Sequence, residues 1–426
     1  MTAAGPGRRS FLQSVALFAA LGPALRPSSS RAAALARVVV IGGGFGGATA
    51  ASLIKQLAPH IDVTLVERQA AFVSCPMSNL VYSGSIALDS LRFEFSGLQR
   101  RGVRVVQGAA IAIDADRGEV RLSGGQVLPY DKVVVSPGVD FDYQDIPSLQ
   151  DPAARAGIPH AWRAGEQTTL LKAQLDAMPD GGVFAMHIPT APYRCLPAPY
   201  ERVCQIALYF QRNKPHSKII VLDSNPELTA EKNLFSSAWR NQYKGMIDYR
   251  PNSELADIDP ATQTVKLVFD DVRADVINLI PPQHAGELAR ASHLITANKR
   301  WCGVNWLSME SVAVKGVHVL GDATLAASAM PKSATMAAQQ AKVAAAAIVA
   351  GLTERPLDPA PVMDSACYSF VSVQLAGHVS ATHDYDPTIR SMITRKGSAQ
   401  TAATATEQDA ERAWTWARAL WAEAFS

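Results

Sequence analysis

The sequence predicts an α/β protein with two Rossmann-like dinucleotide-binding domains, the second degenerate, and a small C-terminal interface domain. Three observations carry that reading. A strand, a glycine-rich turn and a helix follow residue 36. A strand ending in Gly321-Asp322 supplies a second half of the same fold. Between the halves lie two more β-branched strands on either side of a helical stretch. The boundaries expected from this pattern are 1–36, 37–148, 149–275, 276–360 and 361–426, the second and fourth pieces forming one domain.

Residues 1–36 read as a twin-arginine signal peptide. Arg8-Arg9-Ser10-Phe11-Leu12 precedes an apolar stretch from Val15 to Leu25, and Ala34-Leu35-Ala36 is a small-residue cleavage site. An ordinary secretory signal or a short anchor helix is the plainer alternative. Export by this route carries folded, cofactor-loaded proteins, so the mature chain is expected in the periplasm. No other run of about 18 apolar residues occurs, and no transmembrane segment is expected. Arg8, Arg9, Arg26 and Arg31 fall in the segment and no acid does, so its removal moves the formal charge from +2 to −2. No basic field is left for nucleic acid. With 426 residues the chain has room for two or three domains with sizeable cores.

The strand at Arg37–Ile41 runs into Gly42-Gly43-Gly44-Phe45-Gly46-Gly47 and an Ala-rich helix to Leu57. Gly42 permits the tight turn, Gly44 lets backbone approach a pyrophosphate at the helix N-terminus, and Gly47 lets helix pack on strand. The next strand, Asp62–Val66, ends at Glu67, placed to accept from an adenosine ribose. This motif serves FAD and NAD alike. The strand ending at Gly321-Asp322 favours FAD, because such a carboxylate reaches a ribityl chain, although a plain strand-to-turn Gly-Asp is the bland alternative. Lys132–Val135, followed by Ser136-Pro137-Gly138, is the strand that returns across the first domain.

The middle segment has strands at 182–186 and 218–223 and a helix at 200–212. Where NAD(P)H would need glycines it has His187-Ile188-Pro189-Thr190-Ala191-Pro192. Prolines lack the N–H groups that cradle a pyrophosphate, so NAD(P)H is not expected to reduce this protein. A long Ala-rich helix is expected over 333–351, just after Pro331-Lys332. Beyond a polar stretch at 396–409, residues 410–425 read as a helix bearing Trp414, Trp416 and Trp421. Core packing is its default reading. With acids and arginines but no basic stripe, docking of a soluble partner is the expectation preferred over a membrane surface.

Five cysteines are an odd number for an oxidising compartment. None has metal spacing and the nine histidines are scattered, so no metal site is expected. Cys204 and Cys302 read as buried thiols.

The runs Ser74-Cys75-Pro76-Met77-Ser78-Asn79, Ala191 to Arg202, Val276 to Gln283, Met330-Pro331-Lys332-Ser333 and Cys367-Tyr368-Ser369 make the chain recognisable. It resembles the flavoprotein subunit of flavocytochrome c sulfide dehydrogenase, a relative of sulfide:quinone oxidoreductases among the disulfide-reductase-like flavoproteins. The resemblance implies that Cys75 holds FAD covalently through a thioether, and that Cys195 and Cys367 form a redox-active disulfide beside the flavin. It places Glu201 near that disulfide as an acid/base.

The residues are compatible with these roles and leave plainer ones open. Cys75 also admits a structural reading, the disulfide that of a staple, and Glu201 that of an acid favoured at a helix start, though the first two are the weaker readings. Cys195 precedes a helix, whose N-terminus is expected to lower its thiol pKa. Lys332, if not simply exposed, is expected to stabilise negative charge on reduced flavin.

The implied activity is oxidation of hydrogen sulfide to sulfur or polysulfide, with electrons leaving to a c-type cytochrome subunit. No C-x-x-C-H occurs here, so any haem belongs to that partner in a heterodimer. Two alternatives stay open: a sulfide:quinone oxidoreductase at the membrane surface, and a non-catalytic flavin-binding sulfur carrier. The run around Ala198 and the residue Thr324 depart from the family's usual pattern.

Overall fold

The computed structural model describes residues 35–426. The expected export segment, with both paired arginines, therefore lies outside the described residues except for its last two positions.

The first sheet has seven strands in the order Val304–Asn305, Glu310–Ser311, Val317–Val319, Lys132–Val135, Arg37–Ile41, Asp62–Glu67 and Arg104–Gln107. The last five run parallel, and the first two add an antiparallel edge. A parallel sheet is covered on both faces, which is why its strands are unbroken β-branched runs. Val38, Val40 and Val133 to Val135 are fully buried. Against it pack the helices Phe45–Leu57 and Ala334–Leu352, which also pack on each other. Their buried Ala48, Ala51, Ala341 and Ala345 let the two backbones approach closely.

The middle segment forms its own parallel sheet, in the order Ile247–Arg250, Lys218–Asp223, Val183–Ile188 and Val276–Leu279, so the expected boundary at 275 is corrected: Val276–Leu279 pairs with Val183–Ile188 and belongs to this sheet, not to the first. The helix Ala198–Asn213 lays Val203, Ile206, Ala207 and Phe210 into that core. Their spacing is one helical face. Together the two sheets make the α/β architecture of paired Rossmann-like folds.

The C-terminal part is an antiparallel sheet, Val362–Phe370, Ala376–Asp386 and Ser391–Thr394, followed by the helix Glu407–Phe425. Thr406 caps that helix, its Oγ1 accepting from Asp409 N at 3.0 Å.

The helix packs its aromatic residues against its own chain, as its default reading has it, and leaves Glu411, Arg412 and Arg418 exposed. Phe425 stacks on Phe72 and Phe93, with centroids 5.1 and 5.3 Å away, and meets Phe45 edge-on. Trp421 Nε1 donates to Ser74 Oγ at 2.9 Å, and Trp416 Nε1 donates to Thr335 Oγ1 at 3.1 Å. The aromatic residues thus form the seam between the C-terminal part and the first domain, the phenylalanine rings making its apolar contact and the tryptophans adding one N–H donor each. No helix among the described residues is long and apolar enough to cross a membrane.

Candidate active site

The glycine turn is tightly packed on one side and open on the other. Gly42 sits at φ +98°, and a Cβ on it would stand 2.2 Å from the Ser136 carbonyl oxygen. A Cβ on Gly47 would stand 1.9 Å from the Gly42 carbonyl oxygen. At Gly44 the nearest atom to such a Cβ would be the Phe72 ring at 3.6 Å, and beyond it a cavity of about 1300 Å³ opens. The helix Phe45–Leu57 begins there without a side-chain cap, leaving its first N–H groups free for an anion. Glu67 closes the adjacent strand, with Oε2 accepting from Gly43 N at 2.7 Å and Oε1 from Gln69 N at 2.9 Å.

Nine of the expected site residues line this one cavity: Gly42, Gly44, Glu67, Cys75, Cys195, Glu201, Gly321, Asp322 and Cys367. Gly47 lies beneath the turn. Lys332, expected beside the reduced flavin, does not line the cavity either. Its ammonium donates to the carbonyls of Asp322 and Thr324 and lies 3.7 Å from the Trp301 ring centroid. Burial lowers its pKa to about 8, and two carbonyls occupy two of its three donors. It braces the Gly-Asp turn from behind.

Asp322 is the group that the fold leaves unfinished. Its Oδ1 is buried without a partner, and burial raises its pKa against the opposing pull of Arg194 and Lys332. A buried acceptor without a donor costs stability unless a ligand supplies one. The open face of Gly44, the uncapped helix start, Glu67 and this orphan acceptor together fit FAD.

At the far end of the cavity the sulfur chemistry gathers. Arg194 Nη2 lies 3.6 Å from Cys75 Sγ and also bonds the Trp162 carbonyl. Cys195 sits at φ +58°, donates its N–H to the Lys332 carbonyl at 3.0 Å, and accepts from Ala198 N at 3.0 Å. The expected depression of its thiol pKa is not found. Burial, followed by neighbouring Cys367 and Glu201, drives it well above the ordinary value against Arg194. Desolvation of the thiolate outweighs the helix start. Cys367 rides on the Val362–Phe370 strand, its thiol pushed up to about 12 by burial and then by Glu231. All five cysteines are free thiols in this structure.

Glu201 joins strand to helix. Its Oε2 accepts from Asn79 Nδ2 at 2.7 Å and its Oε1 from Phe370 N at 2.9 Å. Burial raises its pKa despite those bonds and Arg202. His160 lines the same cavity, but burial and three arginines hold it down to about 3, so it is neutral at physiological pH. Cys204 accepts from Trp239 Nε1 at 3.3 Å, and Cys302 is fully buried.

Sequence reasoning assigned no role to Asn79, Arg194 or Arg202. Arg202 is 3% exposed, yet its guanidinium bonds Asn79 Oδ1 at 3.2 Å, Asn278 Oδ1 at 2.8 Å and the carbonyls of His160 and Ala161. These partners come from separate segments. All three residues lie inside recognisable runs, but nothing local shows what they hold.

A cavity that fits a flavin and is lined by Cys75, Cys195 and Cys367 goes with an FAD-dependent oxidoreductase of the disulfide-reductase type. Residues 36–170 match the family model described as pyridine nucleotide-disulphide oxidoreductase. Residues 168–281 match that of the central part of the sulfide dehydrogenase [flavocytochrome c] flavoprotein chain, and residues 359–425 that of flavocytochrome c sulphide dehydrogenase, flavin-binding. The sulfide dehydrogenase flavoprotein chain of Chlorobaculum thiosulfatiphilum is 62% identical over 45 residues, 11% of this chain and 94% of that sequence. The chain belongs to the flavocytochrome c sulfide dehydrogenase flavoprotein family and is an oxidoreductase. The mitochondrial sulfide:quinone oxidoreductase of Mus musculus is 24% identical over 326 residues, 72% of this chain and 68% of that one. In fold, the sulfide:quinone oxidoreductase of Aquifex aeolicus aligns with a TM-score of 0.72 at 19% identity, covering 91% of each chain.

Proposed function

We propose that this chain is a periplasmic sulfide dehydrogenase subunit that oxidises hydrosulfide through Cys195, Cys367 and FAD and passes electrons to a separate c-type cytochrome subunit. One observation carries the reading: both cysteines and Glu201 share a cavity with the groups that fit FAD. In the working form Cys195 and Cys367 are joined as a disulfide. Hydrosulfide attacks one sulfur by thiol-disulfide exchange, leaving a persulfide on that cysteine and the other as a thiol. Glu201, buried with a raised pKa, holds or releases a proton beside Cys195. When bound, FAD supplies the acceptor for the electron pair and releases electrons one at a time. Asp322 would accept from its ribityl chain, Glu67 from its adenosine ribose, and Cys75 would tether it covalently.

The second nucleotide fold supports sulfide rather than NAD(P)H as the electron source. Asp223, at the strand end where an NAD(P)H ribose would bind, is fully buried and accepts from the hydroxyls of Tyr200 at 2.7 Å and Tyr249 at 3.1 Å. Asn225 spans the turn, accepting from Ala191 N and donating to the Pro189 carbonyl, each at 3.0 Å.

The test is acid denaturation of the purified holoprotein, then sulfide added to the native protein with cytochrome c as acceptor. Yellow colour retained on the polypeptide, cytochrome reduction, and loss of sulfide bleaching in Cys195→Ser are expected. Preference for a quinone over cytochrome c would favour a quinone reductase, and normal turnover in Cys195→Ser would rule out the disulfide route.

A further inference from the structure

Glu231 is a buried carboxyl that the mechanism above does not use. It sits just before the Lys232–Asn241 helix in a left-handed position, φ +47°, makes no side-chain capping bond to it, and is 6% exposed. Its Oε2 accepts from the Ser369 hydroxyl, whereas Oε1 is buried with no partner. Strand alternation puts Ser369 and Cys367 on the same face of Val362–Phe370. The carboxyl is therefore fastened to the side of the strand that bears the sulfur. Gly377 on the next strand leaves it room, since a Cβ there would stand 3.3 Å from Oε1. Glu201 binds the same strand one residue further on, at Phe370 N.

Ser369 bonds Glu231 directly, and the charges of Glu201 from the Ala198–Asn213 helix and Asp409 from the C-terminal helix act on it, as its own acts on Cys367, whose thiol bonds Ser333. Asp409 pairs with His378 at 2.9 Å and with Arg412 at 3.4 Å, and on Glu231's own segment Lys232 pairs with Glu227. Burial, with Glu201 and Asp409 adding to it, pushes Glu231 up to about 7, while the Ser369 hydrogen bond opposes. Glu201 is the carboxyl that acts most on Cys195, and Glu231 the one that acts most on Cys367. A thiol with a raised pKa is a poor leaving group in disulfide exchange, so opening the bridge at Cys367 calls for a proton there.

Resting on the disulfide reading above, we propose that Glu231 is the proton partner of Cys367. Hydrosulfide bonds to the Cys195 sulfur, the Cys195–Cys367 bond breaks, and the Glu231 carboxyl proton passes to the Cys367 sulfur. The products are a Cys195 persulfide, a Cys367 thiol and the Glu231 carboxylate. The sulfide sulfur is oxidised and the disulfide reduced, with one negative charge on each side. Glu231 recovers the proton when the cysteines are reoxidised.

The experiment is stopped-flow bleaching of the holoprotein by sulfide across pH 5.5–9 for wild type, Glu231→Gln, Ser369→Ala and Cys367→Ser. Sulfide's own ionisation is common to all four, so the differences between profiles report the protein. The protonated acid is the active form, so the wild-type rate falls as pH rises through about 7. Glu231→Gln is expected to lose that limb and about 100-fold in rate, the scale of a lost general acid. Ser369→Ala removes a bond that favours the carboxylate, so its limb moves to higher pH, and it tests the proposal even where Glu231→Gln fails to fold. Wild-type rate and profile in Glu231→Gln, or an unmoved limb in Ser369→Ala, overturns the proposal while Cys367→Ser remains inert. Normal bleaching of Cys367→Ser overturns the disulfide reading itself.

Discussion

Asn79 stands between two buried charges, its amide donating to Glu201 at 2.7 Å and its carbonyl accepting from Arg202 at 3.2 Å. Asn79→Ala would leave each short of a partner. A loss of about 3 kcal/mol is expected in urea unfolding of the holoprotein, the upper end for an unsatisfied buried group. The change also has a definite sign in pH. The Asn79 N–H favours the Glu201 carboxylate, so removing it raises a pKa that burial already raises. The limb of the pH–rate profile that belongs to Glu201 should move to higher pH, measured as sulfide-dependent bleaching, and an unmoved profile would remove Glu201 from the proton chemistry. At this scale the sequence is half legible. Glu201 and the cysteines stand out by residue type and by family pattern. Glu231 lies in the unremarkable run Thr229-Ala230-Glu231-Lys232, and only burial beside Ser369 distinguishes it.

Among the elements, the Glu407–Phe425 helix shows most clearly what packing adds to a periodic pattern. Its buried positions Ala410, Ala413, Ala417, Leu420 and Ala424 mark one face, and Phe425 ends it within a ring cluster formed by Phe45, Phe72 and Phe93. Phe45 and Phe72 also line the cavity. Phe425→Ala is therefore expected to cost about 3 kcal/mol, lower Tm, expose the C-terminal helix to limited proteolysis and weaken flavin retention in a Cys75→Ala background. A variant with wild-type Tm and proteolysis would show that the helix is held elsewhere. The helix itself was readable from its periodicity. Its partner was not, because an amphipathic face with three tryptophans looks the same whether it meets its own domain or another protein.

For the whole molecule, two nucleotide folds of one plan differ at the turn that follows their first strand. The first keeps its glycine turn open onto the cavity, whereas the second fills the equivalent region with Asp223, Asn225 and two tyrosine hydroxyls. Oxidised holoprotein mixed with NADH is expected to stay yellow under conditions where sulfide bleaches it, followed by absorbance of the flavin. Rapid bleaching by NADH would show the second fold to be functional. Much of this was visible beforehand: the strands, the Gly42 to Gly47 turn, the absence of glycine from 187–192 and the Gly321-Asp322 turn are local patterns. Backbone sterics and side-chain periodicity impose them on any chain with those residues. Folding settled the remainder: that Cys75, Cys195 and Cys367 share one cavity, that burial pushes the thiols of Cys195 and Cys367 up, that carbonyls hold the Lys332 ammonium, and that Glu231 lies beside the strand of Cys367. Each depends on desolvation and on contacts between segments far apart in the chain, and neither is a property of any short stretch of residues.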